Sequence, residues 1–193
     1  MAPRMIVVAG PPGSGKSTFF PVSSFGVACF NADDRAAELN GGSFRSIPQS
    51  IRRQVNREFE AFVNRCIATA TSFAIETTLR SSITFDQAAT ARAAGFVIEM
   101  RYLALDDFGT HLDRVKARSD AGGHSASETT LQSIYESSLR NLPRAIAEMD
   151  TLLVYDNSDV SANLRLVLKC AGGESRFLAE DLPGWLDRAL HSL

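Results

Sequence analysis

The segment MIVVAGPPGSGKSTFF, residues 5–20, constrains the fold of this chain more than any other stretch. Gly10, Gly15, Lys16 and Ser17 satisfy the pattern G-x-x-x-x-G-K-[ST], between an apolar β-branched run and a helical pattern. Glycines in such a loop let backbone N–H groups converge on an anion at the start of a helix, where the dipole adds a favourable potential. The sequence therefore predicts a strand, a phosphate-binding loop and a helix, in that order.

The side chains of this loop indicate a nucleotide with a metal ion. Lys16 is expected to reach the β- and γ-phosphates of ATP, and Ser17 to place its hydroxyl on Mg²⁺. A glycine turn without a ligand is the alternative, but it would leave a buried lysine without a partner. Pro21 follows about one turn into the helix and should kink or shorten it. The predicted nucleotide-binding residues in this loop are Gly10, Pro11, Pro12, Gly13, Ser14, Gly15, Lys16, Ser17 and Thr18.

Short apolar runs alternate with helical patterns along the rest of the chain. Such alternation is typical of parallel strands joined by crossover helices, so we predict a three-layer α/β domain with a mostly parallel sheet and helices on both faces. A late strand in NLRLVLKC and a short helix after Pro183 complete the pattern, with Trp185 anchoring that helix. The predicted strands are Met5–Ala9, Val27–Asn31, Phe73–Thr77, Phe96–Leu105 and Leu152–Asp156, and the predicted helices cover residues 51–70, 81–94, 107–119 and 129–149.

Composition limits the classes of partner. The 193 residues, 45% of them hydrophobic, predict a single domain over 1–193 with a mobile helical lid at about 110–130. A net charge of −2 makes nucleic acid an unlikely partner, and no apolar stretch is long enough for a signal peptide or a membrane span. Three cysteines without a C-x-x-C pair favour a reducing, cytoplasmic location.

The segment CFNADDR, residues 29–35, supplies a candidate general base. It follows the second predicted strand, so Asp33 or Asp34 would project at the carboxyl edge of the sheet, beside the phosphate loop. A carboxylate there can accept the proton of an acceptor hydroxyl, and Asn31 would bind the acceptor. The alternative is that Asp33 or Asp34 only caps the following helix.

The segment IETTLR ends the third predicted strand at the same edge. Its polar residues Glu76, Thr77, Thr78 and Arg80 are interpreted as acceptor-binding, with the start of a helix as the alternative.

A third polar segment, RVKARSDAGGH, follows the fourth predicted strand. Arg114 and Arg118 are four residues apart on one helix face, an arrangement suited to a phosphoryl group in transfer. Two glycines before His124 suggest the joint of a lid that closes on the substrate. An ordinary solvated helix ending at glycine is the alternative. His111, one turn before Arg114, is expected on the surface.

Together these segments resemble the zeta-toxin family of P-loop kinases, which includes UDP-N-acetylglucosamine kinases. The resemblance covers about residues 5–158 and rests on GPPGSGKST, FNADD, IETT, RVKARSDAGGH and YESSLRNLPRAI followed by LVYDNS, in the family's order. It implies transfer of the γ-phosphoryl group of ATP to a hydroxyl of a small molecule, with Mg²⁺ as cofactor. It also implies a (UDP-)amino sugar as acceptor and a protein antitoxin as a candidate partner.

The resemblance also implies roles for single residues. Lys16 and Ser17 would hold the nucleotide and Mg²⁺, and Asp33 would deprotonate the acceptor hydroxyl. Glu76 and Thr78 would contact the acceptor sugar. Further along the chain, Arg114 and Arg118 would be lid arginines, and Asn157 would border the nucleotide base.

The chain departs from the family pattern after G-G-H. It continues SASE and TLQSIYESSL where members commonly have x-V-P-E and an arginine-rich run, so a positive patch that could receive a diphosphate substrate is thinner. Arg52 and the other arginines of the helix 51–70 could compensate, although a solvated face is the alternative. A P-loop ATPase, a nucleotide-binding protein without an acceptor and a polynucleotide-end kinase remain alternative functions.

Overall fold

The computed structural model describes residues 1–120, 127–159 and 164–191, except for the side chains of residues 118–120. These residues form a seven-stranded sheet with the strand order β2-β3-β1-β4-β5-β6-β7. The first five strands in that order are parallel, and β6 and β7 are added antiparallel at one edge. The strands are β1 (Arg4–Ala9), β2 (Ala28–Phe30), β3 (Phe73–Thr77), β4 (Val97–Ala104), β5 (Thr151–Asp156), β6 (Arg165–Ala171) and β7 (Glu174–Leu178).

Helices connect the parallel strands, and one more helix follows the antiparallel strand β7. Among the described residues, no helix has the length and apolar character that spanning a membrane would require. The helices are α1 (Lys16–Phe19), the 3₁₀ helix Val22–Phe25, α2 (Ala32–Leu39), α3 (Gln49–Ala68), α4 (Ile83–Ala93), α5 (Phe108–Asp120), α6 (Glu128–Arg140), α7 (Leu142–Glu148) and α8 (Gly184–His191).

The α/β prediction is confirmed, and the ends of the five predicted strands differ from the observed ones by no more than one residue. The late strand and the short C-terminal helix are also present as β6 and α8. The sequence analysis did not predict β7, whose five residues are all exposed. A strand without buried positions has no alternation of apolar and polar residues by which it could be recognised.

The prediction of one helix over 129–149 is wrong, because two helices, α6 and α7, cover this stretch. Asn141 separates them, and Pro143 lies in the first turn of α7. A proline has no N–H to donate to the preceding turn, so the α-helical ladder cannot continue through it. The side-chain amide of Asn141 instead donates to the main-chain oxygen of Leu79, 2.8 Å away.

The two faces of the sheet bury different residues of β1. Met5 and Val7 belong to the larger core cluster, which is completed by residues of α3, α4, α7 and α8. Ile6 and Val8 belong to a smaller cluster on the other face, which the 3₁₀ helix covers through Val22. Strand β1 is therefore buried on both faces between β3 and β4, and the loop after it lies at the carboxyl edge of the parallel strands.

The C-terminal helix α8 is anchored by Trp185, as predicted. Trp185 is fully buried, and its ring lies 6.1 Å from that of Tyr102 in β4. Its indole N–H donates to Asp156 Oδ1 at the end of β5, 2.9 Å away. The helix therefore closes the core next to the carboxyl ends of two central strands.

Replacing this anchor should destabilise the fold. We expect Trp185→Ala to lower the free energy of unfolding by about 3–5 kcal/mol, because a large buried ring leaves a cavity. Phe177→Ala, on the exposed strand β7, is the control and should change it by less than about 0.5 kcal/mol. Urea unfolding followed by circular dichroism measures both, and equal losses in the two variants would contradict the anchoring role.

Candidate active site

The phosphate loop lies between β1 and α1, and its glycines are required by their surroundings. Gly10 and Gly15 have φ angles of 139° and 96°. A Cβ atom on Gly10 would lie 2.0 Å from the main-chain oxygen of Leu103, and one on Gly15 would lie 2.6 Å from Asn157 Nδ2. The loop is thus packed directly against the ends of β4 and β5, at distances that only glycine permits.

Helix α1, which follows the loop, is a single turn of four residues that ends before Pro21. The predicted shortening is therefore observed. One turn sums few peptide dipoles, so a helix dipole contributes little here. We therefore expect the attraction for phosphate to come from the loop N–H groups and from Lys16. The sequence had also predicted a contribution from the helix dipole.

Lys16 is nearly fully buried and points back over the loop. Its Nζ donates to the main-chain oxygens of Gly10 and Pro11, at 2.8 and 3.1 Å. The carboxylate of Glu76 lies 3.7 Å from the same Nζ and accepts a hydrogen bond from Ser17 Oγ at 3.0 Å. Glu76, which the sequence assigns to the acceptor, therefore contacts both functional side chains of the phosphate loop.

Asn157 braces the loop from the end of β5. Its side-chain Nδ2 donates to the main-chain oxygen of Ser14 at 3.0 Å, and the residue is 8% exposed. Its own main-chain oxygen accepts a hydrogen bond from the guanidinium of Arg114 at 3.2 Å. Asn157 thus connects the phosphate loop to helix α5.

Asp33 lies in the first turn of α2 with its side chain exposed. The helix is capped by Asn31, whose Oδ1 accepts hydrogen bonds from the N–H groups of Asp33 and Asp34 at 3.0 and 3.2 Å. Capping by an aspartate, the alternative left open by the sequence, is therefore not observed. Asp33 lines the cleft beside the phosphate loop, whereas Asp34 does not.

A strained turn after β3 presents Thr78 and Arg80 to the cleft. Leu79, between them, has a φ angle of 56° and is fully buried. A left-handed conformation costs a bulky residue roughly 1–2 kcal/mol. The turn is held by two hydrogen bonds, from the N–H of Leu79 to Thr77 Oγ1 and from Asn141 Nδ2 to the oxygen of Leu79.

These segments enclose one cleft of about 1050 Å³. Of the residues predicted for the site, Gly10, Pro11 and Ser14 belong to the loop but do not line the cleft. Arg118 lies in α5 with its side chain outside the described part of the chain, and His124 lies outside the described residues altogether. The predicted residues that line the cleft are Pro12, Gly13, Gly15, Lys16, Ser17, Thr18, Asn31, Asp33, Glu76, Thr77, Thr78, Arg80, Arg114 and Asn157.

One wall of the cleft, formed by α6 and its N-cap, was not predicted from the sequence. Ser127, Thr130 and Ile134 line the cleft, and their spacing of three and four residues places them on one face of the helix. The spacing is visible in the sequence, but serine, threonine and isoleucine on a helix do not by themselves indicate a binding site. Arg52 of α3 also lines the cleft.

His111 is also functionally placed, and its predicted surface position is wrong. It is 2% exposed. Its Nε2 accepts a hydrogen bond from the N–H of Leu105 at 3.2 Å, which leaves the Nδ1 hydrogen for the oxygen of Pro12 at 2.9 Å. The ring also packs edge-on against Tyr135 of α6, with 4.9 Å between centroids. His111 therefore joins the phosphate loop to β4, α5 and α6 in its neutral form.

Burial lowers the pKa of His111 to about 4, and the positive charges of Lys16 and Arg114 act in the same direction. A folded-state pKa below the unfolded value means that the unfolded chain binds the proton first as the pH falls. The contribution of His111 to stability is therefore complete above pH 6.5 and is lost as the pH falls towards 4.

This gives a pH-dependent test. Between pH 7 and pH 5 the His111 pKa shift should remove about 2 kcal/mol from the free energy of unfolding. His111→Gln keeps an acceptor for the N–H of Leu105 but does not titrate, so we expect its stability to change less over that interval. Urea titrations of both proteins at the two pH values measure the difference, and equal losses would rule out His111 as the source.

No protein-family model matches the chain. An uncharacterized protein of Haemophilus influenzae is 26% identical over 136 residues, which cover 70% of this chain and 94% of that protein. At this level the relative extends the sequence similarity over most of both chains without assigning a function.

Solved structures resemble the fold more fully. A chain of the AvrRxo1-ORF1:AvrRxo1-ORF2 complex with ATP matches with a TM-score of 0.67 and 16% identity, over 90% of this chain and 60% of that one. A chain of the PezAT toxin-antitoxin system of Streptococcus pneumoniae matches with a TM-score of 0.65 and 14% identity, over 98% of this chain and 84% of that one. A chain of the Pnkp1/Rnl/Hen1 RNA repair complex matches with a TM-score of 0.56 and 19% identity, over 74% of this chain and 46% of that one.

The chain has a P-loop kinase fold. The predicted resemblance to zeta-toxin-like P-loop kinases is thereby confirmed for the fold. The chain spans only about 60% of the AvrRxo1 chain that it matches, so substrates and partners of that protein are not carried over.

Proposed function

We propose that this protein is an ATP-dependent kinase that transfers the γ-phosphoryl group to a hydroxyl of a small molecule, with amino sugars and their UDP derivatives as the first acceptors to test. The observation that carries the proposal is the position of Asp33. Its exposed carboxylate shares one cleft with Lys16, and Asn31 has taken the capping role that would otherwise occupy it.

In the proposed reaction the acceptor hydroxyl oxygen bonds to the γ-phosphorus of ATP. The bond from that phosphorus to the β,γ-bridging oxygen breaks, and its electron pair leaves with ADP. Asp33 accepts the hydroxyl proton. The protein supplies mainly position and electrostatic stabilisation, with Lys16 and Arg114 neutralising the charge on the phosphates. Arg118, one turn after Arg114, would add a second lid guanidinium.

Ser17 and Glu76 form a donor set that fits Mg²⁺. A hydroxyl and a carboxylate that already meet at 3.0 Å are the hard oxygen ligands that this ion takes, with water and phosphate oxygens as the rest. Held by Ser17 and Glu76, Mg²⁺ would offset the negative charge of the nucleotide phosphates. The same carboxylate lies 3.7 Å from Lys16 Nζ, so the metal ligand and the phosphate-binding lysine are in direct contact.

The related structures support parts of this proposal. One neighbour contains ATP, which supports ATP as the nucleotide of the shared fold. Two neighbours are two-component complexes, one of them a toxin-antitoxin system, which makes a protein antitoxin a candidate partner here. The RNA repair neighbour keeps a polynucleotide end in the acceptor panel, although the net charge of −2 does not favour it.

The base is tested with Asp33→Asn, which keeps the shape of the side chain but cannot accept the proton. We expect ADP formation stimulated by an acceptor hydroxyl to fall by at least 100-fold, while the Kd for ATP changes by less than threefold. Turnover is measured with Mg²⁺, glucosamine, UDP-N-acetylglucosamine and a 5′-hydroxyl oligonucleotide as acceptors.

Asp34→Asn is the matched control, because Asp34 is the next residue of the same turn and does not line the cleft. Its activity should stay within twofold of the wild type. If Asp33→Asn keeps full acceptor-dependent turnover, the base assignment fails. ATP hydrolysis that no acceptor stimulates would favour a P-loop ATPase instead.

The metal role of Glu76 is tested by nucleotide binding rather than by turnover. Glu76→Gln removes the negative charge beside Lys16, so we expect ADP to bind more tightly than to the wild type when EDTA is present. The gain in affinity on adding Mg²⁺ should fall by about tenfold or more, since a carboxylate ligand is lost. A fluorescent ADP analogue reports both values.

Glu60→Gln, an exposed change on α3, is the control for net charge. It should leave both affinities within twofold. An unchanged Mg²⁺ gain in Glu76→Gln would return Glu76 to the acceptor role that the sequence implies.

A further inference from the structure

A second groove opens from the active-site cleft along α6. It has a volume of about 410 Å³ and shares Arg80, Thr130 and Ile134 with the main cleft. We call it the Arg80 groove. Its lining residues are Arg80, Thr129, Thr130, Ser133, Ile134 and Ser137. Because it continues the cleft past Arg80, a molecule with its reacting hydroxyl near Asp33 can extend into it.

The walls of the Arg80 groove carry hydroxyl groups and one cation. Four of its six lining residues are threonine or serine, all from α6. The hydroxyl groups of Thr129 and Thr130 are hydrogen-bonded to Oγ of the helix cap Ser127, at 3.1 and 2.7 Å. Ser133 and Ser137 lie further along the helix. Such a surface offers both donors and acceptors, which matches the hydroxyl groups of a sugar or polyol.

Arg80 is the charged residue of this groove. Its side chain is exposed, and among the described residues no carboxylate lies within 4.0 Å of its guanidinium. The strained turn at Leu79 sets the direction of the chain at Arg80, and Asn141 holds that turn from the start of α7. Backbone strain that is held by several contacts is a feature of ligand-binding positions.

We propose that the Arg80 groove binds the distal end of the acceptor, and that this end is polyhydroxylated and carries a single anionic group held by Arg80. The shared chemistry is a phosphate monoester or a carboxylate, and a sugar phosphate is the first probe. This inference rests on the proposed kinase function, since it names the class of acceptor for the same cleft.

The lining of the groove argues against a nucleotide diphosphate in it. Two linked phosphates carry more negative charge than one guanidinium balances, and Arg80 is the one basic residue among the described residues that line the groove. None of the lining residues in the described part of the chain is aromatic, so they offer a base no ring on which to stack. Both features favour a small sugar or polyol over a nucleotide sugar.

The test compares three probes of one sugar series: glucosamine, glucosamine 6-phosphate and UDP-N-acetylglucosamine. Isothermal titration calorimetry gives the Kd of each for the protein saturated with a non-hydrolysable ATP analogue and Mg²⁺. We expect glucosamine 6-phosphate to bind at least tenfold more tightly than the other two. Arg80→Gln should abolish this preference and change the Kd of glucosamine by less than threefold.

Three further variants distinguish the direct contact of the groove residues with the acceptor from the positioning of Arg80 by the turn at Leu79. Ser133→Lys adds a cation to the groove and should improve UDP-N-acetylglucosamine binding by at least threefold. Asn141→Ala releases the turn at Leu79 and should raise the KM of the phosphorylated acceptor without changing the KM of ATP. Gln132→Ala, on α6 but outside the groove, is the matched control and should change nothing.

Tightest binding of the UDP sugar to the wild type, no binding of any probe, or equal Kd changes for all probes in Arg80→Gln would overturn the proposal. Comparing binding with turnover distinguishes a failure of the groove proposal from a failure of the proposed kinase function. If the phosphorylated sugar binds through Arg80 but no phosphoryl group is transferred, the groove stands and the kinase function fails. If the UDP sugar is phosphorylated and Arg80→Gln has no selective effect, the kinase function stands and the groove proposal fails.

Discussion

The phosphate loop keeps its shape because buried side chains from other elements satisfy its carbonyl groups. Lys16 donates to the oxygens of Gly10 and Pro11, His111 to that of Pro12, and Asn157 to that of Ser14. Every one of these donors is at least nine-tenths buried. Because its main-chain oxygens already accept these hydrogen bonds, the loop keeps its N–H groups available for an anion. The shape of the loop therefore depends on the correct placement of these three side-chain donors by the surrounding fold.

Two of these donors also connect the loop to helix α5. His111 belongs to α5, and Arg114, one turn later, donates to the main-chain oxygen of Asn157. A movement of α5 would therefore change contacts on both sides of the loop. Since α5 leads towards the predicted lid, these few hydrogen bonds would couple the position of that helix to the shape of the phosphate loop.

The part of the cleft that we propose for the acceptor, its acceptor half, is built differently from the part proposed for the nucleotide, its nucleotide half. There the backbone is strained at Leu79, the break between α6 and α7 supplies the amide of Asn141, and one face of α6 provides hydroxyl groups. The nucleotide half uses buried donors and close packing, which tolerate little change. The acceptor half uses exposed side chains on a helix, where substitution costs little stability and can alter the substrate.

The sequence by itself determined the positions of the five parallel strands along the chain, the phosphate loop and the Asp33 segment, because periodicity and the glycine-lysine pattern are local properties. It did not determine the partners of Glu76, His111 or Asn141. A local pattern cannot show that Glu76 meets Ser17, 59 residues away, or that a histidine on an apparently polar helix is buried under Tyr135. Those contacts exist only once parallel strands bring distant segments to one edge of the sheet, so the tertiary structure alone decided which of these residues meet at the site.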